Sequence, residues 1–376
     1  MYRIPFNKPY ATGNEWNYIQ DASKKGKLAS DGKYTLKCQS FFEKRYGFKK
    51  TFLTHSCTQA LEMAALLMDL KPGDEVILPS YTYVSTANAF ALRGCKVVFA
   101  DSCRDYPGID TGKLAHLITD KTKAIVAVHY GGIACDMEQL LAISQRYNLY
   151  LVEDAAAGID GYYVSKDQSK RPLGSFGHFA TFSFHETKNI SCGEGGMLVI
   201  NDSKFIAKAN LVWNRGTNKK DFSSGKANKY EWQSLGSAFA PSEINAAWLW
   251  AQLEQIESIQ SVRKIKWHWH HTHLPQILEK FDLEWMAVPK HAAQNFHLFY
   301  ALAKNLKHRD QVLNFFKRKK IMAVFHYQSL HTSTYYLSQY PRKIDLFQAE
   351  KYSECLIRFP LYNTLDTDKL NGLLSN

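Results

Sequence analysis

The feature that most constrains this chain is the alternation, through its first half, of short apolar runs with longer stretches patterned for helix. Runs at Thr51–His55, Glu75–Pro79, Lys96–Asp101, Ala124–Tyr130, Leu149–Asp154, Phe179–Phe184 and Met197–Asn201 read as strands. Between most of them lie helical patterns, at Thr58–Leu70, Tyr83–Leu92, Thr111–Ile118 and Met137–Tyr147. Parallel strands need long crossovers, usually helical, so the alternation predicts an α/β fold with a mostly parallel seven-stranded sheet. The punctuation agrees. Lys71-Pro72-Gly73-Asp74 stops a helix and turns into a strand, and Asp110 can cap the helix after it.

Beyond Pro241 the texture changes to a long helical pattern, Ser242–Arg263, then to a mixed region with strands near Phe299–Ala303 and Ile321–His326. This predicts a large domain over residues 1–240 and a smaller α/β domain over 241–376, bridged by the helix after Pro241. The stretch Trp213–Ala240 is rich in Gly, Ser, Asn and Lys without a clear period, so it reads as a long loop, a class that is usually functional when it occurs in a compact protein.

With 376 residues, 45% hydrophobic and 22% charged, the chain has material for a large core and is neither disordered nor fibrous. No apolar run approaches the ~18 residues of a membrane-spanning helix, and the start MYRIPFNKPY lacks the apolar core of a signal peptide, so a cytoplasmic location away from membranes is expected. The seven cysteines form no C-x-x-C pair and no cluster with histidine at metal-ligand spacing, so reduced thiols and no metal are expected. The formal charge of +12 raises nucleic acid as a partner, but the basic residues are scattered in short groups such as Lys317-Arg318-Lys319-Lys320, and none is expected; small anionic substrates explain a basic surface equally well. The tract Trp267-His268-Trp269-His270-His271-Thr272-His273 has no acidic partner and reads as a packed amphipathic helix rather than a metal site.

In a parallel sheet, ligands bind beyond the carboxyl ends of the strands, so polar residues there matter most. After the first strand, His55-Ser56-Cys57-Thr58 opens a helix whose free N–H groups make an anion site. After the second comes Ser80-Tyr81-Thr82-Tyr83; Leu149–Val152 leads to Glu153-Asp154; the sixth strand brings Ser183, His185 and Lys188, followed by Gly193-Glu194-Gly195-Gly196. Singly each has a plain reading: Ser56 or Thr58 as a helix cap, Asp154 as a turn residue, Lys188 as a solvated lysine. Together they supply what pyridoxal phosphate needs: N–H donors for phosphate, a stacking ring, an anion for the pyridine nitrogen, and an amine for the aldehyde. No G-x-G-x-x-G or Walker A motif occurs, which argues against a nicotinamide dehydrogenase or a P-loop ATPase.

The stretches PGDEVILPSYTYVSTANAF, KAIVAVHYGG, LVEDAAAG and FSFHETKNISCGEGG resemble the pyridoxal-phosphate-dependent sugar-nucleotide aminotransferases of the DegT/DnrJ/StrS group, over nearly the whole chain. IPFNKP, SCTQALEMAALL, GTNKKDF and IMAVFHY resemble the branch that makes dTDP-4-amino-4,6-dideoxygalactose for surface polysaccharides. The resemblance implies the aspartate-aminotransferase fold. It makes Lys188 the lysine that bonds the cofactor aldehyde, Asp154 the partner of the pyridine nitrogen, Tyr83 the stacking ring, and Ser183 with Cys57-Thr58-Gln59 the phosphate cradle. Arg215, Lys219, Tyr230 and His326 fall in the segments that would read the nucleotide sugar. It implies transfer of an amino group from glutamate to a dTDP-linked 4-keto-6-deoxyhexose, galactose-configured in the product, by a homodimer whose sites are shared between subunits. The alternatives are a 3-keto or UDP-linked sugar as acceptor, or a non-catalytic regulator on the same fold. A family dehydratase would have His where Lys188 stands. Two positions depart from the family pattern: Ala157 replaces a Gln or His beside the cofactor, and Ala238 replaces an Asn that reaches the partner subunit's cofactor phosphate.

Overall fold

In the computed structural model, which describes residues 2–341 and 344–375, the apolar runs of the first half pair into one sheet. Its strands are β1 (Lys50–Thr54), β2 (Glu75–Pro79), β3 (Lys96–Ala100), β4 (Thr122–Val128) and β5 (Tyr150–Asp154) and, after a small hairpin of β6 (Tyr162–Val164) and β7 (Lys170–Pro172), β8 (Phe179–Ser183) and β9 (Gly196–Ile200). The order is β1-β9-β8-β5-β4-β2-β3. Only β9 runs against its neighbours, so the other strands end at one edge, where β9 begins. Ser183 and Thr54 both register on Gly196 there.

Both faces of the sheet are covered, which is why its strands are nearly continuous apolar runs. Alternate residues divide between two packed layers. Phe52, Leu198 and Ile200 meet the helix Cys57–Leu67 through Ala60, Leu61 and Ala64. Leu53, Met197 and Val199 meet the helices Lys33–Tyr46 and Glu243–Glu254 through Phe42 and Leu249. Leu53→Ala would leave a cavity in the second layer and cost about 2–5 kcal/mol.

Later in the chain come β10 (Glu284–Trp285), β11 (Ala292–Ala293), β12 (Phe299–Leu302) and β13 (Leu356–Phe359). The last two and β10 form an antiparallel sheet with its own core around Phe299, Phe316, Ile357 and Phe359. β11 instead pairs with β6, fastening the second half to the first.

Several local expectations are corrected. Ser242–Arg263 is two helices, Glu243–Glu254 and Ile256–Ile277, because Gln255 leaves helical geometry (φ −110°, ψ 15°); no Gly or Pro marks the break. Thr111–Leu117 is a 3₁₀ helix rather than an α-helix. Ile321–His326 is not a strand: it makes one bridge to Ile4 and another from Val324 to Arg358, so no ladder extends. The 213–240 stretch holds a short helix, Lys219–Ser223, and is bridged at Asn214–Ala238 and Thr217–Trp232. Gly216 is required at its crossing, since φ is +78° and a Cβ would strike the Ser234 carbonyl. The histidine tract lies in Ile256–Ile277, where His271 stacks on Trp267 and His273 on Trp269, at 5.1 and 4.9 Å between centroids. Buried His270 packs its ring nitrogens against Lys266 O and Pro360 O, at 2.8 and 2.9 Å. Among the described residues no helix is long and apolar enough to cross a membrane.

Candidate active site

Beyond β1 the chain turns through His55 and Ser56 into the helix Cys57–Leu67. Ser56 is extended, its hydroxyl accepting from the Gln59 N–H at 3.2 Å and its carbonyl from the Ala60 N–H, so its side chain is used as a helix cap. The N–H groups of Cys57 and Thr58 have no acceptor among the described residues. Two open amides at the positive end of an 11-residue helix form a site for an anion. Gly196 packs against this turn so closely that a Cβ would strike the Ser56 carbonyl and the Cys57 nitrogen. Thr58 Oγ1 donates to Ser85 Oγ at 2.7 Å, and Ser183 Oγ, at the end of β8, accepts from the His185 N–H at 3.3 Å.

Asp154 ends β5 and registers on Thr181 of β8. Thr86 Oγ1 donates to its Oδ2 at 2.7 Å and the Ala156 N–H to its Oδ1 at 3.1 Å. Burial raises the carboxyl's pKa; the Thr86 and Ala156 bonds and the Lys188 charge oppose that rise. Thr181 Oγ1 beside it is buried with no partner. Lys188 stands midway along the loop from β8 to β9, its backbone N–H bonded to His185 O at 2.8 Å. Its Nζ makes no hydrogen bond or ion pair among the described residues. Burial lowers the amine's pKa, Cys57 and Asp154 pull it back up, and Arg358 pushes it down again. Lys188, Asp154 and Cys57 therefore lie within electrostatic reach of one another. Burial also pushes the Cys57 thiol well up, so it stays protonated there.

The loop is pinned just after Lys188. Asn189 Nδ2 donates to Asn295 O at 2.8 Å and to Gln260 Oε1 at 2.9 Å, and its Oδ1 accepts from His297 Nδ1 at 2.8 Å. Asn295 in turn donates to the carbonyls of Ala157 and Ile159 at 2.6 Å, so the backbone at Ala157 is held although its methyl group can bond nothing. His326 shares a 2.6 Å hydrogen bond with the Tyr130 hydroxyl and stacks on Tyr327, whose ring lies 6.0 Å from that of Tyr83. Tyr83 is 58% exposed, leaving its ring open to a planar ligand.

The sequence-predicted residues therefore divide. Asp154, Lys188, Ser183, Tyr83, His326 and the Ser56–Gln59 turn gather at the sheet edge. Arg215, Lys219 and Tyr230 stand on the outer loop and make no hydrogen bond or ion pair with that group among the described residues. Thr86, Asn189, His297, Tyr327 and Arg358 were not anticipated. Thr86 was within reach of the strand-end argument, one turn into the helix that follows Tyr83. The others come from a loop interior and from the far half of the chain, where no motif spacing marks them.

Comparison with known proteins agrees with this geometry. The DegT/DnrJ/EryC1/StrS aminotransferase family model matches residues 9–375. GDP-perosamine synthase of Caulobacter vibrioides is 32% identical over 316 residues, spanning 83% of this chain and 81% of the relative. The fold is that of DesV from S. venezuelae (TM-score 0.88, 24% identity, 100% of this chain and 97% of that one). It is also that of PseC from Helicobacter pylori, an aminotransferase involved in the biosynthesis of pseudoaminic acid (TM-score 0.87, 23% identity, 98% and 96% covered). The chain belongs to the DegT/DnrJ/EryC1/StrS family of pyridoxal-phosphate-dependent sugar aminotransferases.

Proposed function

We propose that this enzyme transfers the amino group of glutamate to a dTDP-linked 4-keto-6-deoxyhexose, giving a galactose-configured 4-amino-4,6-dideoxy sugar for surface polysaccharide. The observation that carries the transamination is the meeting, at one sheet edge, of an unpaired, half-buried amine, a carboxylate with bonding capacity to spare, and two open helix N-terminal amides. These residues fit pyridoxal phosphate. The Cys57 and Thr58 amides with Ser183 would hold its phosphate, Tyr83 would cover its ring, Asp154 its ring nitrogen, and Lys188 its aldehyde carbon.

When bound, the cofactor supplies an electron sink for the charge left when an amino acid loses its α-proton. Lys188 Nζ moves that proton. A positioned base of this kind contributes about 10²–10⁴-fold, and a pKa below the ordinary lysine value leaves a larger share of the amine free to act as one. Asp154, aimed by Thr86 and the Ala156 amide, would hold the proton of the cofactor's ring nitrogen by charge, and as a buried carboxylate it has spare bonding capacity for such a cation. The Asn189 clamp fixes the loop that carries Lys188, and the rings of Tyr83, Tyr327 and His326 form an aromatic wall along one side of the site.

The dTDP assignment rests on the sequence resemblance. A second reading, with guanosine diphosphate as the nucleotide, is favoured by the relative named GDP-perosamine synthase. Purified enzyme incubated with glutamate and dTDP-, GDP- and UDP-linked 4-keto and 3-keto sugars, with products identified by mass and NMR, decides between them. Amination of only the dTDP-linked 4-keto sugar supports the proposal, a preference for the GDP-linked sugar selects the second reading, and amination of none removes both. The exposed 213–240 loop with Arg215, Lys219 and Tyr230 fits a homodimer in which this loop reaches the neighbour's nucleotide sugar. Mixing Lys188→Ala with Arg215→Ala subunits, each inactive alone, should then restore part of the activity.

A further inference from the structure

His297, just before β12, is held from two sides. The helix Ile256–Ile277 fixes its backbone: Arg263 donates to the carbonyls of Phe296 and His297, and Trp267 Nε1 donates to Leu298 O at 3.1 Å. Its ring meets the residue after Lys188, with Nδ1 2.8 Å from Asn189 Oδ1. The partners of Asn189 assign the proton in that bond. The other end of its amide lies 2.8 Å from Asn295 O, a carbonyl that can only accept, so that end is the nitrogen and the end facing His297 is the oxygen. His297 Nδ1 must then carry a proton. A neutral imidazole has only one. Burial lowers the pKa of this ring well below the usual value, and the charges of Lys188, Arg263 and Arg358 push the same way, so the ring is neutral and Nε2 is a bare lone pair. Nε2 makes no hydrogen bond among the described residues, and the residue is half-buried rather than sealed.

The two substrates differ in what they can offer such a lone pair. The amino donor brings carboxylates, which have no proton to give, and a nitrogen that is itself the reacting group. The acceptor sugar brings hydroxyls, which donate. In a 4-keto-6-deoxyhexose the reacting carbonyl has two neighbours: C3 carries a hydroxyl and C5 carries none. His297 is bonded to the residue that follows Lys188, so its ring is fixed relative to the amine that must serve the reacting carbon. We infer that His297 Nε2 accepts a hydrogen bond from the sugar hydroxyl next to the reacting carbonyl and so selects the acceptor, an inference that rests on the transamination reading above. The ring is set for this before the sugar arrives, because its backbone and its Nδ1 are already committed. A sugar lacking that hydroxyl would bury the lone pair unmet, which is costly.

The test uses cofactor-loaded wild type, His297→Asn and His297→Gln, checked for native folding by circular dichroism. Asparagine puts an amide nitrogen near the place of Nδ1, keeping the bond to Asn189 with nothing at Nε2; glutamine puts its amide near Nε2 and gives up the Asn189 bond. The probes are a dTDP-linked 4-keto-6-deoxyhexose and its 3-deoxy counterpart, or the same pair on whichever nucleotide wild type accepts. Wild type should favour the full sugar by about ten- to hundredfold in kcat/KM. In His297→Asn that preference should fall below about threefold, while single-turnover conversion with glutamate stays within about threefold of wild type. His297→Gln, which retains an acceptor, should keep more of the preference than His297→Asn. Calorimetric titration with the two corresponding 4-amino sugar nucleotides, which needs no turnover, should show the same preference in affinity. Equal use of the two sugars by wild type, an undiminished preference in His297→Asn, or equal slowing of both half-reactions would overturn the assignment. If wild type aminates neither sugar, the acceptor reading falls, and the titration still decides whether His297 reads this hydroxyl: equal affinity for the two amino sugars, or binding of neither, would count against it.

Discussion

Glu153 and Asp154 are neighbours at the end of β5, yet they face opposite sides of the sheet and live in different chemistry. Glu153 is saturated. Its Oε1 accepts the N–H groups of Phe176 and Gly177, each at 2.7 Å, and its Oε2 accepts the Gly174 N–H at 2.8 Å and shares a 3.0 Å bond with His129 Nε2. The Cys135 N–H donates to His129 Nδ1 at 3.2 Å, so the ring proton sits on Nε2 and points at Glu153. Asp154 has one donor per oxygen, and its neighbours are an unpaired lysine and an unpaired threonine hydroxyl. Two buried carboxylates one residue apart thus show how satisfaction separates scaffold from site: a carboxylate with no bonding capacity left can only hold the fold, whereas one with spare lone pairs can hold a ligand.

The comparison can be broken or sharpened in order of expected effect. Lys188→Ala should lower turnover by at least about 10³-fold while circular dichroism and melting stay near wild type; substantial turnover would remove the amine from the reaction. Glu153→Gln, on the scaffold side, should reduce unfolding stability by about 3 kcal/mol in urea titrations, with activity per folded molecule retained. Stability near wild type would show that the saturated carboxylate is dispensable. Thr86→Val removes one of the two donors on Asp154 and should slow the glutamate half-reaction by about tenfold. An unaltered rate would mean that Thr86 does not aim the carboxylate.

The smallest effect is on pH dependence. Uptake of pyridoxal phosphate by cofactor-free protein needs the free amine of Lys188, whose pKa burial depresses and Asp154 partly restores. Asp154→Asn removes that support, the pKa falls further, and the rise of uptake rate with pH should move to lower pH. A shift to higher pH would contradict the sign of this coupling.

How far these contrasts were legible in the sequence depended on their range. The seven strands and the site's first-half members follow from local patterning, because a strand end and the helix it feeds are adjacent in sequence. Saturation was not legible: Glu153 gets its donors from residues 174–177 and from His129, a pattern that appears only when β4, β5 and the connection from β7 to β8 converge. Arg358, 204 positions after Asp154, entered through an antiparallel sheet whose short strands carry little periodic signal. The break at Gln255 escaped detection because the apolar period continues through it. The clamp on Ala157 escaped detection because it uses that residue's backbone carbonyl, which a substitution leaves in place.

The central claim is that the under-bonded carboxylate of this pair, and not the saturated one, serves the chemistry. Single-turnover absorbance of cofactor-loaded enzyme mixed with glutamate, compared for wild type, Glu153→Gln and Asp154→Asn, tests it most directly. The account predicts that folded Glu153→Gln converts within about threefold of the wild-type rate and that Asp154→Asn is slower by about 10²-fold or more. Asp154→Asn converting at the wild-type rate, or both variants slowing by the same factor, would contradict it.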